Sequence, residues 1–278
     1  GVAIFSEIPI GTYTIYEDEK TVPTAYLVAD PQNVTVTYAE TKEVPIENKE
    51  KTGSITVHKT TEGQKNIEGI KFYLRGTSDS GRAIDIPATT DKDGIAKFDG
   101  VPIGTYMVIE DEETVPYGYL VADEKEVKVE YAQTIDETIL NNEQTGTVKV
   151  HKKTADMTNV EGIRFILSGI SDTGREIRIE ATTDKDGLAK FEGVPVGTYT
   201  ITEDGSTVPY GYLVADSKQV TVAYAQTVDT DMVNEKAPDT PNTGVTDNDS
   251  DGSKALCSVA IILAGAAIVM FSRKRKER

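Results

Sequence analysis

The chain has 278 residues and a formal charge of -17, with 46 acidic and 29 basic side chains. This balance excludes a nucleic-acid-binding role, because neutralising phosphates needs clustered Lys and Arg. The single Cys excludes an internal disulfide and a Cys-x-x-Cys metal site. With 38% hydrophobic residues, the chain has enough apolar surface for packed domains. It begins at Gly1 with no signal segment, so we expect the export signal upstream.

The sequence is internally repetitive. The string YLVAD occurs three times, each time 93 residues after the last. Aligning residues 51–143 with 144–236 needs no gap, and 56 of the 93 positions are identical. A fixed period of this kind predicts tandem modules. We therefore predict two complete modules, and residues 1–50 match the C-terminal half of a third, which we do not expect to hold a stable core alone.

Within a module the apolar residues recur at every second position, as in Thr147–His151 and Thr198–Glu203. This alternation, rich in Thr, Val, Ile and Tyr, is typical of half-buried strands. Turn sequences containing Gly and Pro, such as DKDG and VPYGY, separate the alternating segments. We predict about seven short strands per module and an all-β fold of tandem two-sheet, immunoglobulin-like β-sandwiches.

Three kinds of polar residue fall on apolar faces of the predicted strands. Lys59 is in phase with Ile55 and Val57, so its side chain should point into the core. The same phase applies to the second lysine, to two acids and to two amides: Lys152, Glu110, Glu203, Asn141 and Asn234. In residues 1–50 the corresponding acid and amide are Glu17 and Asn48.

Two interpretations of these groups remain open on strand parity alone. The first is a buried salt bridge whose remaining hydrogen bonds are made by the amide. The second is chemical: burial favours the neutral forms of Lys and Glu, which gives an amine nucleophile and an acid able to polarise the Asn carbonyl. Attack then releases ammonia and leaves a Lys–Asn amide, and holding both reactants in contact accelerates it.

The order of these residues resembles that of a known family. G-x-I/V-x-V-x-K near the module start, Y-x-x-x-E before a Pro-x-Gly-Tyr turn and a terminal apolar-Asn pair are similar to CnaB or SpaA-type prealbumin-like domains of Gram-positive pilins and adhesins. The resemblance covers nearly all of residues 1–236. It implies an isopeptide bond between the first and last strands of each module, with a Glu as catalyst. Carried onto this chain, Lys59 bonds Asn141 with Glu110 assisting, and Lys152 bonds Asn234 with Glu203 assisting, whereas Glu17 and Asn48 have no lysine partner.

After residue 236 the composition changes. Residues 237–254 are polar and predict a linker, residues 255–272 carry no charge, and residues 273–278 are mostly Lys and Arg. An uncharged run followed by basic residues predicts a transmembrane segment with a cytoplasmic tail. We therefore expect the precursor to be held in the plasma membrane.

The linker contains a motif that resembles the cell-wall sorting signal read by sortases. Its residues are Thr240, Pro241, Asn242, Thr243 and Gly244. Pro241, Thr243 and Gly244 match the signal, while Thr240 replaces the usual Leu. The resemblance implies that a sortase cuts before Gly244 and joins Thr243 to peptidoglycan or to a pilus subunit.

These features predict a structural stalk or pilin-like shaft of a cell-wall-anchored surface protein. The alternative is an adhesin module that binds a host or matrix glycoprotein through loops Thr77–Arg82 and Ser171–Arg175. We predict no cofactor and no metal, since the acidic run 247–252 has the start of a calcium loop but not its twelfth-position Glu. We also predict no enzyme activity on external substrates.

Overall fold

The computed structural model describes residues 1–63, 67–156 and 160–238. Within these ranges the regular structure consists of β-strands and of single 3₁₀ turns at Glu19–Thr21, Glu112–Thr114 and Gly205–Thr207. No helix in this part of the chain is long and apolar enough to cross a membrane. The predicted transmembrane segment and the sortase motif lie outside the described residues.

Two sets of strands repeat along the chain. The first complete sandwich contains β3 (Thr52–Thr61), β4 (Lys71–Ser78), β5 (Ala83–Thr89), β6 (Ile95–Pro102), β7 (Gly104–Glu110), β8 (Lys125–Val129) and β9 (Thr134–Asn141). The second contains β10 (Thr145–Thr154), β11 (Arg164–Ser171), β12 (Glu176–Thr182), β13 (Leu188–Pro195), β14 (Gly197–Glu203), β15 (Lys218–Val222) and β16 (Thr227–Asn234). Residues 1–50 contribute a single antiparallel pair, β1 (Gly11–Ile15) and β2 (Gln32–Val36). The predicted all-β fold with seven strands per repeat is confirmed for these described residues.

Each complete sandwich is built from a three-stranded and a four-stranded sheet. In the first, the strand orders are β6-β3-β9 and β5-β4-β7-β8, and in the second they are β13-β10-β16 and β12-β11-β14-β15. The first and last strands are parallel neighbours, β3 with β9 and β10 with β16, whereas the other pairs are antiparallel. The register places Lys59 opposite Ile139 and Thr61 opposite Asn141. Each module therefore begins and ends on adjacent strands.

Apolar side chains from both sheets form the core between them. Along β3 every second residue is buried, so Ile55 and Val57 point inward while Thr56 remains partly exposed. Removing this apolar surface from water is the main force that holds the two sheets together. The buried residues of the first core are Ile55, Val57, Ile70, Phe72, Leu74, Ile84, Ala96, Phe98, Val101, Tyr106, Val108, Val127, Val129 and Ile139.

A glycine at the start of each first strand permits close backbone packing. A Cβ built on Gly53 would lie 2.5 Å from the carbonyl oxygen of Glu130 and 2.8 Å from that of Gln133. Both obstacles are backbone atoms, so a methyl group forces the β8–β9 connection outward. We expect Gly53→Ala to lower the free energy of unfolding by about 1 to 3 kcal/mol, measured by urea denaturation. The neighbouring Ser54→Ala serves as the control, and an equal effect of both substitutions would contradict this packing argument.

Candidate functional site

Each complete sandwich buries one Lys, one Glu and one Asn. Lys59 lies near the end of β3, Asn141 ends the adjacent β9, and Glu110 ends β7 in the facing sheet. Their exposed fractions are 2%, 0% and 6%. The second sandwich repeats the arrangement with Lys152, Asn234 and Glu203, which are 0%, 0% and 3% exposed. The sequence prediction that these six side chains point inward agrees with the structure.

In the first sandwich the Glu110 carboxylate lies between the amide and the amine. Its Oε2 accepts a hydrogen bond from Asn141 Nδ2 at 2.5 Å, and its Oε1 lies 3.5 Å from Lys59 Nζ. The amine also donates to the backbone carbonyls of Ile139 at 3.2 Å and Thr60 at 2.7 Å. One carboxylate is therefore close to both groups that a Lys–Asn bond would join.

The second sandwich has the same geometry with a closer ion pair. Glu203 Oε2 accepts from Asn234 Nδ2 at 2.6 Å, and Glu203 Oε1 lies 3.0 Å from Lys152 Nζ. Lys152 Nζ donates to the carbonyl of Met232 at 3.2 Å, as Lys59 does to Ile139. Two independent copies of the sequence thus place the three groups in the same relation.

Burial lowers the pKa of both lysines. For Lys59 the largest cause is desolvation of the ammonium, which outweighs the opposing attraction of the Glu110 carboxylate. For Lys152 desolvation again dominates, opposed by the hydrogen bond and charge of Glu203. A lowered pKa increases the fraction of neutral amine at a given pH, and only the neutral amine is a nucleophile.

Comparison with known proteins gives a family for the repeated unit. Residues 53–144 and 146–236 each match the family described as SpaA, prealbumin-like fold domain. The chain belongs to this family. The resemblance read from the sequence is thereby confirmed for two tandem copies.

Several solved structures match the chain. The Bacillus anthracis TIE protein has a TM-score of 0.56 and 21% identity, over 82% of this chain and 42% of that one. The chain therefore spans less than half of that protein. The streptococcal ancillary pilin has a TM-score of 0.34 and 22% identity over 83% of this chain and 76% of its own. The shaft pilin SpaA from Lactobacillus rhamnosus GG has a TM-score of 0.32 and 16% identity, over 68% of this chain and 100% of its own. No curated protein sequence matches the chain.

In both SpaA-type domains the site leaves buried polar atoms without hydrogen bonds. Among the described residues, Oδ1 of Asn141 and of Asn234 has no hydrogen-bond partner, whereas Oε1 of Glu110 and of Glu203 lies 3.5 Å and 3.0 Å from the lysine amine. An unsatisfied buried polar atom is costly, and a simple structural network would be expected to satisfy its members. In each domain the unpaired atom is the amide oxygen of the Asn.

Residues 1–50 contain the acid and the amide of the same site. Glu17 Oε2 accepts from Asn48 Nδ2 at 2.5 Å and from the backbone N–H of Ala29 at 3.0 Å. Asn48 Nδ2 also donates to the carbonyl of Leu27 at 2.9 Å. The Glu–Asn pair therefore forms here from residues 1–50 alone.

One part of the site was not predicted from the sequence. The YLVAD string, used above only to find the repeat, supplies backbone partners to the acid and the amide. Ala122 N–H donates to Glu110 Oε2 at 2.8 Å, and the carbonyl of Leu120 accepts from Asn141 Nδ2 at 2.7 Å. Ala215 and Leu213 do the same in the second domain. The identity of this string in all three repeats was the available signal.

Proposed function

We propose that the chain is part of a pilin-like structural shaft of a Gram-positive cell-surface protein, in which each complete SpaA-type module cross-links itself by a Lys–Asn isopeptide bond. We assign the modules to residues 51–143 and 144–236. The observation that carries the proposal is the buried Lys–Glu–Asn group, which has the same geometry in both modules. We propose no enzymatic activity on external substrates, since the only chemistry proposed is intramolecular.

The proposed reaction exchanges one amide nitrogen for another. The neutral Nζ of Lys59 attacks Cγ of Asn141, and the carbonyl electron pair moves onto Oδ1. The surplus proton on Nζ passes to Oε1 of Glu110. The same carboxyl then passes this proton to Nδ2, which leaves as ammonia when the carbonyl re-forms. The carboxyl ends as it began, and the products are one Lys–Asn amide and one ammonia.

The position of Oε2 refines the role predicted for the acid. The sequence suggested that a protonated Glu polarises the amide carbonyl. In the structure Oε2 lies against Nδ2, at 2.5 Å in one site and 2.6 Å in the other. This contact supports a role for Glu110 and Glu203 in protonating the leaving nitrogen, which is a poor leaving group until it carries a third proton.

A bond between the first and last strands suits a load-bearing module. Tension along the chain enters a module at β3 and leaves it at β9, and these strands are neighbours in one sheet. A covalent link from Lys59 to Asn141 carries that tension past the intervening strands. The link needs no cysteine, in agreement with the composition of the chain.

Peptide mapping tests the cross-links directly. We expect a protease digest of the chain to contain two branched peptides, one joining Lys59 to Asn141 and the other joining Lys152 to Asn234. Tandem mass spectrometry identifies each branch point. Recovery of linear peptides with free Lys59 and unmodified Asn141 would reject the proposal for that module.

Anchoring at the cell surface forms a second part of the proposal. The motif from Thr240 to Gly244, the uncharged run 255–272 and the basic residues 273–278 together suggest a sortase substrate whose precursor is held in the membrane. In this proposal Thr243 becomes joined to peptidoglycan or to a pilus subunit. These residues lie outside the described part of the chain, so the support comes from sequence alone.

Incubation with a sortase tests this assignment. We expect cleavage between Thr243 and Gly244 and transfer of Thr243 to an added amine such as triglycine, detected by mass. Gly244→Ala should abolish the transfer because it changes the residue after the cut, whereas Asn242→Ala should retain it because that position varies in the signal. Cleavage elsewhere in the tail would contradict the assignment.

A further inference from the structure

The connection between the two complete sandwiches contains an ion pair that the isopeptide chemistry does not use. β9 ends at Asn141 and β10 begins at Thr145, so only residues 142–144 connect them. Within this connection the Glu143 side chain is 0% exposed. Its carboxylate accepts hydrogen bonds from Thr173 Oγ1 and from the Arg175 guanidinium, both on the turn between β11 and β12. The end of one sandwich is thus bound by a turn of the next.

The turn that binds Glu143 is itself organised by hydrogen bonds. Ser171 Oγ lies 2.7 Å from Thr173 Oγ1 and accepts from the backbone N–H of Arg175 at 2.9 Å. The guanidinium also lies 3.7 Å from Glu62 Oε1, while Glu62 Oε2 accepts from Glu143 N–H at 3.1 Å. Two carboxylates of the first sandwich therefore face one guanidinium of the second.

The backbone contributes to the same contact. Gln144 N–H donates to the carbonyl of Gly118 at 2.7 Å, and its own carbonyl accepts from Val196 N–H at 2.9 Å. A Cβ on Gly118 would lie 2.8 Å from Thr173 Cγ2, so the two surfaces are in close contact. We call this set, Glu143 with Thr173, Arg175 and Gly118, the second joint.

An equivalent joint occurs 93 residues earlier. Glu50 accepts a hydrogen bond from Ser80 Oγ, and its Oε2 lies 2.8 Å from the Arg82 guanidinium. Ile103 N–H donates to the Lys51 carbonyl at 2.9 Å, as Val196 does to Gln144. The first joint therefore repeats the carboxylate, hydroxyl and guanidinium of the second.

The last repeat departs from this pattern. Lys236 occupies the position of Glu50 and Glu143, which reverses the charge. Its Nζ lies 2.8 Å from Oδ2 of Asp156, an acid of the same sandwich, and Tyr212 OH donates to the same oxygen at 3.2 Å. An ammonium at this position is repelled by an Arg-bearing turn, since like charges at an interface disfavour docking.

We propose that the turn of each complete sandwich that carries the hydroxyl and the guanidinium is a docking surface for another module of this kind, which it recognises by a Glu in the connection after the last strand. Glu50 and Glu143 mark module ends that dock, and Lys236 marks one that does not. The docked carboxylate fixes the angle between successive modules. A fixed angle would make the shaft stiff, and this consequence rests on the function proposed above. The docking itself does not depend on the isopeptide bonds.

The adhesin alternative would use the same turns. The loops considered there, Thr77–Arg82 and Ser171–Arg175, are the turns that bind Glu50 and Glu143. Their Arg side chains and central hydroxyls are already engaged by the preceding module. A host ligand that bound the same hydroxyls and the carboxylate-facing side of each guanidinium would have to displace a neighbouring module.

Residual dipolar couplings on the full chain test the docking. We expect the alignment tensors fitted to the two complete sandwiches of the wild type to agree. Glu143→Lys should abolish this agreement because it places an ammonium against Arg175. The charge-exchanged pair Glu143→Arg with Arg175→Glu should restore it. Lys236→Glu, at the equivalent position of the last repeat, should leave the agreement unchanged. Couplings that still fit each sandwich separately show that every variant is folded.

Two glycines provide a matched packing control. Gly118 and Gly211 both have positive φ, +89° and +90°, but a Cβ on Gly211 would meet nothing within 4 Å. Both Ala variants carry the same backbone strain, so only Gly118→Ala should reduce the agreement between the tensors.

Different tensors in the wild type, a shared tensor in Glu143→Lys, or failure of the exchanged pair would each overturn the docking proposal. The intact mass of the same samples reports the isopeptide bonds separately, so failure of one proposal is distinguishable from failure of the other.

Discussion

Replacing Glu110 with Ala is expected to restore the mass of one ammonia to the folded chain. The wild type should be lighter than its sequence mass by two ammonia molecules, one for each Lys–Glu–Asn site. Without Glu110 nothing at that site accepts the proton of Lys59 or delivers one to Asn141 Nδ2, so only the second module cross-links. Glu203→Ala should restore the other ammonia, and the double variant should have its full sequence mass. Intact-protein mass spectrometry resolves these differences.

Residues 1–50 supply a matched control for this series. Glu17 makes the same hydrogen bonds to an Asn side chain and a backbone N–H, but no lysine lies against it in the described residues. Glu17→Ala should therefore change the mass only by the substitution. Glu110→Gln separates chemistry from folding, because it keeps a hydrogen-bond acceptor for Asn141 and lacks the transferable proton. A wild-type chain with its full sequence mass would reject the cross-linking proposal.

Much of the fold was predictable because the physical signals were local and repeated. Alternation along β3 and β10 identified the buried faces, and a lysine in phase with Ile55 and Val57 stood out because burying an unpaired ammonium is costly. The acid and the amide were identified in the same way, because each also falls on an apolar strand face. Each of these features recurs in the next repeat, whereas a pattern that arose by chance would not be expected to recur.

Other features depended on contacts between distant segments. Strand parity shows that Glu110 points inward but not that its two oxygens are divided between Lys59 and Asn141. The role of Ala122 as a backbone donor to that carboxylate is also invisible, since any residue except Pro has the N–H. The joint at Glu143 was missed for a related reason: an acid in a connection between strands is usually solvated, and only the packing of the next module buries it.

Replacing Asn141 with Ala is expected to cause the largest loss of stability. It removes the carbon that Lys59 attacks, so the first complete module loses its cross-link and holds an unreacted Lys59 beside Glu110. By analogy with disulfides, opening a loop of about 83 residues lowers the free energy of unfolding by roughly 4 to 5 kcal/mol. The hydrogen bonds of Asn141 Nδ2 to Glu110 and Leu120 do not add to this loss, because Nδ2 leaves as ammonia when the bond forms.

A double-mutant cycle separates the bond from these hydrogen bonds. If Lys59 and Asn141 are joined, Lys59→Met already removes the bond, so adding Asn141→Ala should cost only its hydrogen bonds. The sum of the two single losses in free energy of unfolding would then exceed the loss in the double variant by about the contribution of the loop closure, roughly 4 to 5 kcal/mol. Guanidinium denaturation of the full chain measures all four members, with the unaltered second module as the internal reference. Additive effects would show that no bond couples the two residues.

Single-molecule pulling tests the same cross-link mechanically. In the wild type, tension passes from β3 to β9 through the bond, so neither complete module should extend. In Asn141→Ala the first module should unfold as one step of roughly 280 Å, the contour length of the released loop at about 3.4 Å per residue. Lys152→Met should produce a step of the same length from the second module. A wild-type chain that already shows both steps would demonstrate that the load path runs through the hydrogen-bonded strands alone.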